Sequence, residues 1–324
     1  MSQTTGRPRN IAEMPAQRAS EPTTAAQARG RFFNTGNAFD VQLPPVPDYL
    51  FTTEAVAALD PAAPTGLTAC DLSQQLACPF PATTPLVLAR YARIRAGDTL
   101  TTEFAASGII CYVIRGAGHT DSGSERITWN AGDLFILPGG PSYIHTAAAD
   151  AVLWIVTNEP QLAFEHLRPP ADGDAPTAIV HFTADEIARQ IGLLYEIGRT
   201  EETAGSALIF SSAQQEASRN ILPTLTVAMN SLPGGKSQRP HIHNSVAVSL
   251  IIKGTQCYSV MDGRRKDWAQ WATSITPPTA VHSHHNGGNE QAMFLIVQDG
   301  GIFYHARAMG FEFAEHPAQA TQSV

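Results

Sequence analysis

The chain has 324 residues, 43% of them apolar and 15% charged, enough for one large domain or two ordinary ones, each with its own core. Its formal charge is −8 and its longest basic run is Arg264-Arg265-Lys266, which argues against a nucleic-acid-binding surface. No apolar run approaches the roughly 20 residues that span a bilayer, so a membrane protein of helical type is excluded as well.

Residues 1–34 are rich in Ala, Thr, Gln and Arg and have little to bury. They read as a flexible N-terminal arm, or one that orders on a neighbouring subunit. No charged segment followed by an apolar one marks a signal peptide. The four cysteines, Cys70, Cys78, Cys111 and Cys257, form no CxxC pair. Free thiols packed in a core, in a reducing cytoplasm, are the expected state.

From about Leu86 to Glu159, short apolar runs ("LVLARYARI", "GIICYVIRG", "AVLWIVTNE") alternate with Gly, Asp, Asn and Pro, the rhythm of a β domain. The stretch "RPPADGDAP" reads as a linker. "TADEIARQIGLLYEIGR" predicts one helix, with Thr183 as N-cap, Glu186 completing a capping box, and Ile187, Ile191, Leu194 and Tyr195 at helical spacing. From about Ala207 the strand rhythm returns in "TLTVAMNSL", "VAVSLIIKG", "TQCYSVMDG" and "QAMFLIVQD". Arg264-Arg265-Lys266 follows Asp262-Gly263 and reads as a solvated hairpin turn.

The second stretch repeats the first. Gly97 and Gly116 are nineteen apart, as are Gly235 and Gly254, and each pair is followed by a Pro-containing turn before a histidine. Two copies of one β unit predict a duplicated barrel.

Seven of the eleven histidines follow residue 240. His241 and His243 are two apart, so on an extended strand they share a face and can hold one metal ion in cis. "AVHSHHN" brings His282, His284 and His285 about forty residues later as candidates for a third donor. His284 has the parity of His282 and faces the same side; His285 faces the other.

These residues resemble those of the bicupins. Gly235 to Gly254 fits the first cupin motif, Gly, five residues, His-x-His and a closing Gly, with Ala247 where the usual cupin has a metal-binding Glu. The second motif, Pro-x-Gly-x-x-His, stands as Pro277-Pro278-Thr279-Ala280-Val281-His282, with Thr279 in the glycine position. Within the bicupins, "RPHIHNSVAVSLIIKG", "DGRRKDW" and "PPTAVHSHHN" look most like the gentisate 1,2-dioxygenase group, over roughly residues 85–315.

The resemblance implies an all-β chain of two cupin (double-stranded β-helix or jelly-roll) barrels with a short helix between them. Its parts would be the arm 1–34, an N-terminal cupin 35–165, a linker and helix 166–205, a C-terminal cupin 206–317 and a tail 318–324. It implies metal ligands His241, His243 and His282 in the C-terminal barrel, one Fe(II) per chain, and O2 as co-substrate. The expected reaction is ring cleavage of a substituted hydroxyaromatic compound of salicylate or gentisate type. His284 is expected to act on the substrate as a catalytic group, with Arg239, Ser249 and Gln298 lining its site.

Two departures stand out. Gentisate-type enzymes usually carry an Arg eight residues after the first ligand histidine, and this chain has Ser249 there. Their working metal usually lies in the first cupin. Here the glycine-anchored repeat sets Glu103 and Ala105 at the positions of His241 and His243, and Tyr143 opposite His282, with His145 matching His284. The first barrel is therefore expected to be a scaffold, with a weak site at Glu103, Tyr143 and His145 as its alternative. Tyr258, Met261, Trp268, Trp271 and Phe294 are further pocket candidates. The rival functions are a Mn, Zn or Fe cupin isomerase, decarboxylase or hydrolase, and a non-catalytic ligand-binding cupin. A homodimer or homotetramer with a small aromatic substrate, and no nucleic-acid or membrane partner, is expected.

Overall fold

The computed structural model describes residues 8–123, 125–171, 174–198 and 206–314. The tail 318–324 and the end of the linker stretch, 199–205, lie outside the described residues. Residues up to Pro44 form a small unit of their own. Within it are a 3-10 turn Ile11–Glu13, a helix Ala25–Arg29 and a bridge between Gln17 and Phe32.

The remainder is two β barrels. In the first, one antiparallel path runs through strands Gly66–Ala69, Leu88–Ile94, Ser142–Thr157, Gly108–Asp121, Leu134–Pro138 and Val180–Phe182, with Thr99–Glu103 on Ser142–Thr157 and Arg126–Asn130 on Gly108–Asp121. The two long strands pass through both layers of the barrel, and their register shifts between Val113 and Gly118. Gly116 sits there at φ 87, where a Cβ would lie 2.5 Å from the Asp150 carbonyl oxygen. Only glycine tolerates that backbone and that approach.

In the second barrel the same path is broken into shorter strands. One sheet holds Leu50–Phe51, Thr273–Thr276, Ala247–Lys253, Ala292–Gln298, Thr226–Leu232 and Ser206–Phe210, in that order; the other holds Arg264–Asp267, Cys257–Met261, His282–Asn286, His241–His243 and Phe311–Phe313. Leu50–Phe51 precedes the first barrel in sequence, yet it pairs with Thr273–Thr276 and extends the second barrel's sheet. Asp48, two residues before this strand, forms an ion pair with Lys266. The predicted hairpin forms on Asp262 (φ 46) and Gly263 (φ 78), a two-residue turn with both central residues left-handed. Arg264 and Arg265 are exposed as expected, but Lys266 is not. Its ammonium is held by Asp48 and by the Ile275 carbonyl at 3.0 Å. Burial pulls the lysine pKa down, and Asp48 opposes that shift.

Period-two alternation with both faces apolar explains why the two barrels stay together. Ile110, Tyr112, Ile136, Val152, Trp154 and Val156 leave the first barrel and meet Val227, Val248, Leu250, Ile275, Leu295 and Val297 of the second in one buried cluster. Polar atoms in that layer are satisfied across it: Tyr91 Oη donates to the Trp271 carbonyl at 2.6 Å, and Trp154 Nε1 to Thr273 Oγ1 at 2.9 Å. This layer claims Trp271, which packs at its edge and not in the pocket.

The predicted helix runs Ala184–Ile197, with Thr183 Oγ1 accepting from the Glu186 amide and with Ile187 and Ile191 buried. Tyr195 reaches Ser231 Oγ at 2.8 Å. All four cysteines are free; Cys78 is half-buried and the other three are buried. Among the described residues, no helix is long and apolar enough to cross a membrane.

The inward faces of the barrels differ. The first is filled by Ile109, Cys111, Val113, Trp129, Phe135, Leu137, Leu153 and Ile155 among others. The second has a small apolar patch, Leu232, Ala247, Cys257, Ala292, Phe294 and Ile296. Its remaining lining is buried and polar: His241, His243, Ser249, Ser259, Ser274, Thr276, His282 and His284. Buried polar groups are costly unless partnered, and the second barrel's interior is the one that gathers them.

Candidate metal centre

His241 and His282 are direct cross-strand partners, and His243 follows on the strand His241–His243. Opposed residues of an antiparallel pair share a face, so the three imidazoles meet inside the barrel. Ring centroids are 4.2 Å apart for His241 and His282, 4.7 Å for His243 and His282, and 5.9 Å for His241 and His243. One nitrogen from each ring lies within 4.8 Å of the others, and all three residues are buried.

The donor set is also oriented. Nδ1 of His241 donates to the Arg239 carbonyl at 2.9 Å, that of His243 to the Ser245 carbonyl at 2.8 Å, and that of His282 to the Ala280 carbonyl at 2.9 Å. A carbonyl accepts only, so each ring carries its proton on Nδ1 and offers a lone pair at Nε2. This is the outer-shell arrangement that fixes metal-binding histidines. Burial lowers all three pKa values, His243 to about 4 and His282 to about 3, which favours the neutral form that binds metal. The residues present therefore fit a divalent metal ion held by three imidazoles.

A backbone feature holds this edge together. Thr279 N donates to the His243 carbonyl at 2.7 Å, and Thr279 has φ 63. A β-branched residue in the left-handed region is strained, which accounts for the glycine usual at this motif position. Thr279→Gly is expected to raise stability by about 1 kcal/mol, checked by chemical denaturation of the two proteins; a loss of stability would contradict the strain.

Gln298 lies opposite Ala247 and Thr226, and its Nε2 is 3.3 Å from His243 Nε2. Ser249 is buried opposite Ile296 and Ser274. The Arg239 guanidinium stacks over Phe313 at 3.9 Å; Phe313 is the cross-strand partner of His241. His284 is buried, packed edge-on to Phe294 at 4.7 Å, with its pKa lowered well below the usual value, chiefly by burial. Of the other pocket candidates, Met261 is buried opposite His282, and Trp268 stands near His284. Tyr258 does not enter the pocket. It stacks on His285 at 4.6 Å on the outer face, under the Arg265 guanidinium. His285 thus faces away from the ligands, as its parity predicts.

Among the described residues, the first barrel offers no comparable group. The glycine-anchored count is one residue out. Thr102 pairs with Tyr143 as His241 pairs with His282, so Thr102 and Phe104 occupy the positions of His241 and His243. Glu103 and Ala105 are exposed and face outward, because a slip of one residue reverses a strand's faces. Tyr143 Oη donates to the Pro138 carbonyl at 2.9 Å, and His145 is bonded at both nitrogens, to Thr120 Oγ1 at 2.8 Å and Thr102 Oγ1 at 2.9 Å. Burial lowers the His145 pKa to about 4. The alternative site at Glu103, Tyr143 and His145 is therefore not assembled.

One relation escaped the glycine count. Trp129 Nε1 donates to Thr120 Oγ1 at 3.0 Å, and Thr120 meets His145; Trp268 Nε1 donates to Ser259 Oγ at 2.8 Å, and Ser259 meets His284 Nδ1 at 2.8 Å. Each member of one set is 139 residues from its counterpart. That common spacing was legible in the sequence, and it gives the correct register for the histidines too.

No model of a known protein family matches the chain. It is 30% identical over 251 residues to a 5-aminosalicylate 1,2-dioxygenase of Comamonas sp, covering 67% of this chain and 66% of that protein. It is 29% identical over 82 residues to a gentisate 1,2-dioxygenase of Ralstonia sp, covering 25% of this chain and 23% of that one. The chain thus matches less than two thirds of these curated relatives' length. The solved structure of salicylate 1,2-dioxygenase from Pseudaminobacter salicylatoxidans is similar with a TM-score of 0.68 at 12% identity, covering 84% of this chain and 89% of that one. Its adduct with gentisate gives 0.69 at 13% identity, covering 85% and 87%. At that identity the likeness speaks for the fold, two cupin barrels, while the curated relatives speak for the branch. The chain is similar in sequence to the gentisate 1,2-dioxygenase-like bicupins and shares the fold of salicylate 1,2-dioxygenase.

Proposed function

We propose that this protein is an Fe(II)-dependent dioxygenase that cleaves the ring of a substituted hydroxyaromatic compound of salicylate or gentisate type, working in its C-terminal barrel. The observation that carries this reading is the convergence of His241, His243 and His282, each with its Nδ1 tied to a carbonyl, inside a polar-lined barrel. The names of the curated relatives support the reaction class. Iron held by these three imidazoles would supply the redox chemistry that couples O2 to opening of an electron-rich ring; both oxygen atoms enter the product and no external reductant is consumed.

The rest falls to the chain's own side chains. Gln298, with its amide beside His243, is placed to hydrogen-bond a hydroxyl or carboxylate of the substrate. Ser249, with Ser274 across from it, gives a small uncharged wall where gentisate-type enzymes carry arginine. That wall leaves room for a ring substituent, and it withholds the bidentate clamp that a guanidinium gives a carboxylate. Arg239, near the ligand edge, supplies the nearby cation. His284, on the face of His282, is the residue that acts on the substrate.

Protein loaded with Fe(II) without air is expected to take up O2 with at least one compound from a panel of substituted salicylates, hydroquinones and aminophenols, one O2 per ring opened. Zinc-loaded protein is expected to be inactive, since zinc carries no electrons. Turnover under argon, or tight binding of an aromatic compound with no product at any iron loading, would overturn the proposal.

A further inference from the structure

His282 and His284 are two residues apart on one strand and face one way, yet only His282 joins the ligand group. The hydrogen bonds give a reason. Trp268 Nε1 is a donor only, and it occupies an acceptor position of Ser259 Oγ at 2.8 Å. Ser259 Oγ keeps a second lone pair, but among the described residues His284 Nδ1, also at 2.8 Å, is the one partner able to accept the hydroxyl hydrogen. A ring that accepts at Nδ1 while neutral carries its proton on Nε2. The three ligands have the reverse arrangement, donating from Nδ1 to carbonyls.

The first barrel repeats the chain and shows where it leads. Trp129 donates to Thr120, Thr120 meets His145 Nδ1, and His145 Nε2 meets Thr102 Oγ1 at 2.9 Å. Thr102 stands at the register position of His241. By that register the Nε2 edge of His284 is expected to face the ligand group, where His241 stands in the place of the threonine.

We infer that Ser259 and Trp268 are positioning residues that hold His284 as its Nε2–H tautomer, so that it serves the pocket as a hydrogen-bond donor and is kept from becoming a fourth metal ligand. The first barrel has the same relay with no metal-binding group among its described residues, and there it satisfies a buried ring. The inference rests on the reading of His241, His243 and His282 as ligands but not on the reaction, and it is tested without iron so that the two fail separately.

Two-bond proton–nitrogen correlation spectra of metal-free protein labelled with 15N-histidine report the tautomer of each ring. His284 and His145 are both expected to show a protonated Nε2 and a bare Nδ1. Ser259→Ala is expected to shift His284 toward the Nδ1–H form while the His145 signals stay unchanged, which certifies the fold. Ser259→Thr, which copies Thr120, is expected to restore the wild-type pattern. Trp268→Phe is expected to mix the two tautomers, because the indole no longer fixes which way the Ser259 hydroxyl points. An Nδ1–H signature for His284 in the wild-type protein, or an unaltered His284 in Ser259→Ala, would overturn the inference.

Discussion

His241→Ala is expected to abolish metal retention, lowering affinity by at least about 100-fold, more than loss of an outer-shell partner. The substitution removes one of three protein donors and leaves two imidazoles on separate strands. It also frees the Arg239 carbonyl, whose partner is His241 Nδ1. Metal content after dialysis, measured on protein loaded with Fe(II) or with Co(II), checks this. Glu103→Ala is the matched control: Glu103 is exposed on the outer face of the first barrel, and its removal is expected to leave metal content and O2 uptake unaltered. A Glu103→Ala protein that folds and has lost its metal would move the site to the first barrel and end the present account.

Leu250→Ala is expected to cost about 2–5 kcal/mol of stability, the range for a buried leucine truncated in a packed core. Leu250 is fully buried on the strand Ala247–Lys253, between Thr273 on one neighbouring strand and Leu295 on the other. Its side chain belongs to the layer shared by the two barrels, so the cavity would weaken their packing and not the pocket. Chemical denaturation read by tryptophan fluorescence measures the effect. An effect below about 1 kcal/mol, a value usual for surface sites, would mean the layer relaxes around the loss and is not what ties the barrels together. Ser249, one residue earlier, faces the opposite side, and its truncation has no such cavity to make.

Much of this was legible in the sequence because strand physics is local. Parity alone put His241, His243, His282 and His284 on shared faces and His285 on the opposite one. The helix start at Thr183 was legible from its cap, and the hairpin at Asp262-Gly263 from its turn residues. Three features were hidden for physical reasons. The register of the repeat depends on strand pairing, and the loop lengths of the two copies differ by a residue, so glycines made poor anchors. Lys266 reads as solvated in a basic trio, but its burial follows from Asp48, more than two hundred residues away in sequence. Trp271 and Tyr258 are aromatic residues near a pocket in sequence; neither enters it, because the layer between the barrels claims the first and the stack with His285 the second, both long-range contacts.

The departures from the family pattern also carry meaning. Thr279 accepts a left-handed backbone that glycine would adopt without strain, and Ser249 replaces a cation by a small hydroxyl. The first keeps the turn that presents His282; the second alters the pocket wall without touching the ligands. A chain that keeps three oriented imidazoles while changing the wall has the makings of altered substrate choice within one chemistry.

The most direct test is a crystal structure of the iron-loaded protein with diffraction data collected on both sides of the iron absorption edge. The account predicts one anomalous peak per chain, within bonding distance of Nε2 of His241, His243 and His282. A peak in the first barrel, or a metal that leaves one of these three nitrogens unbound, would contradict it.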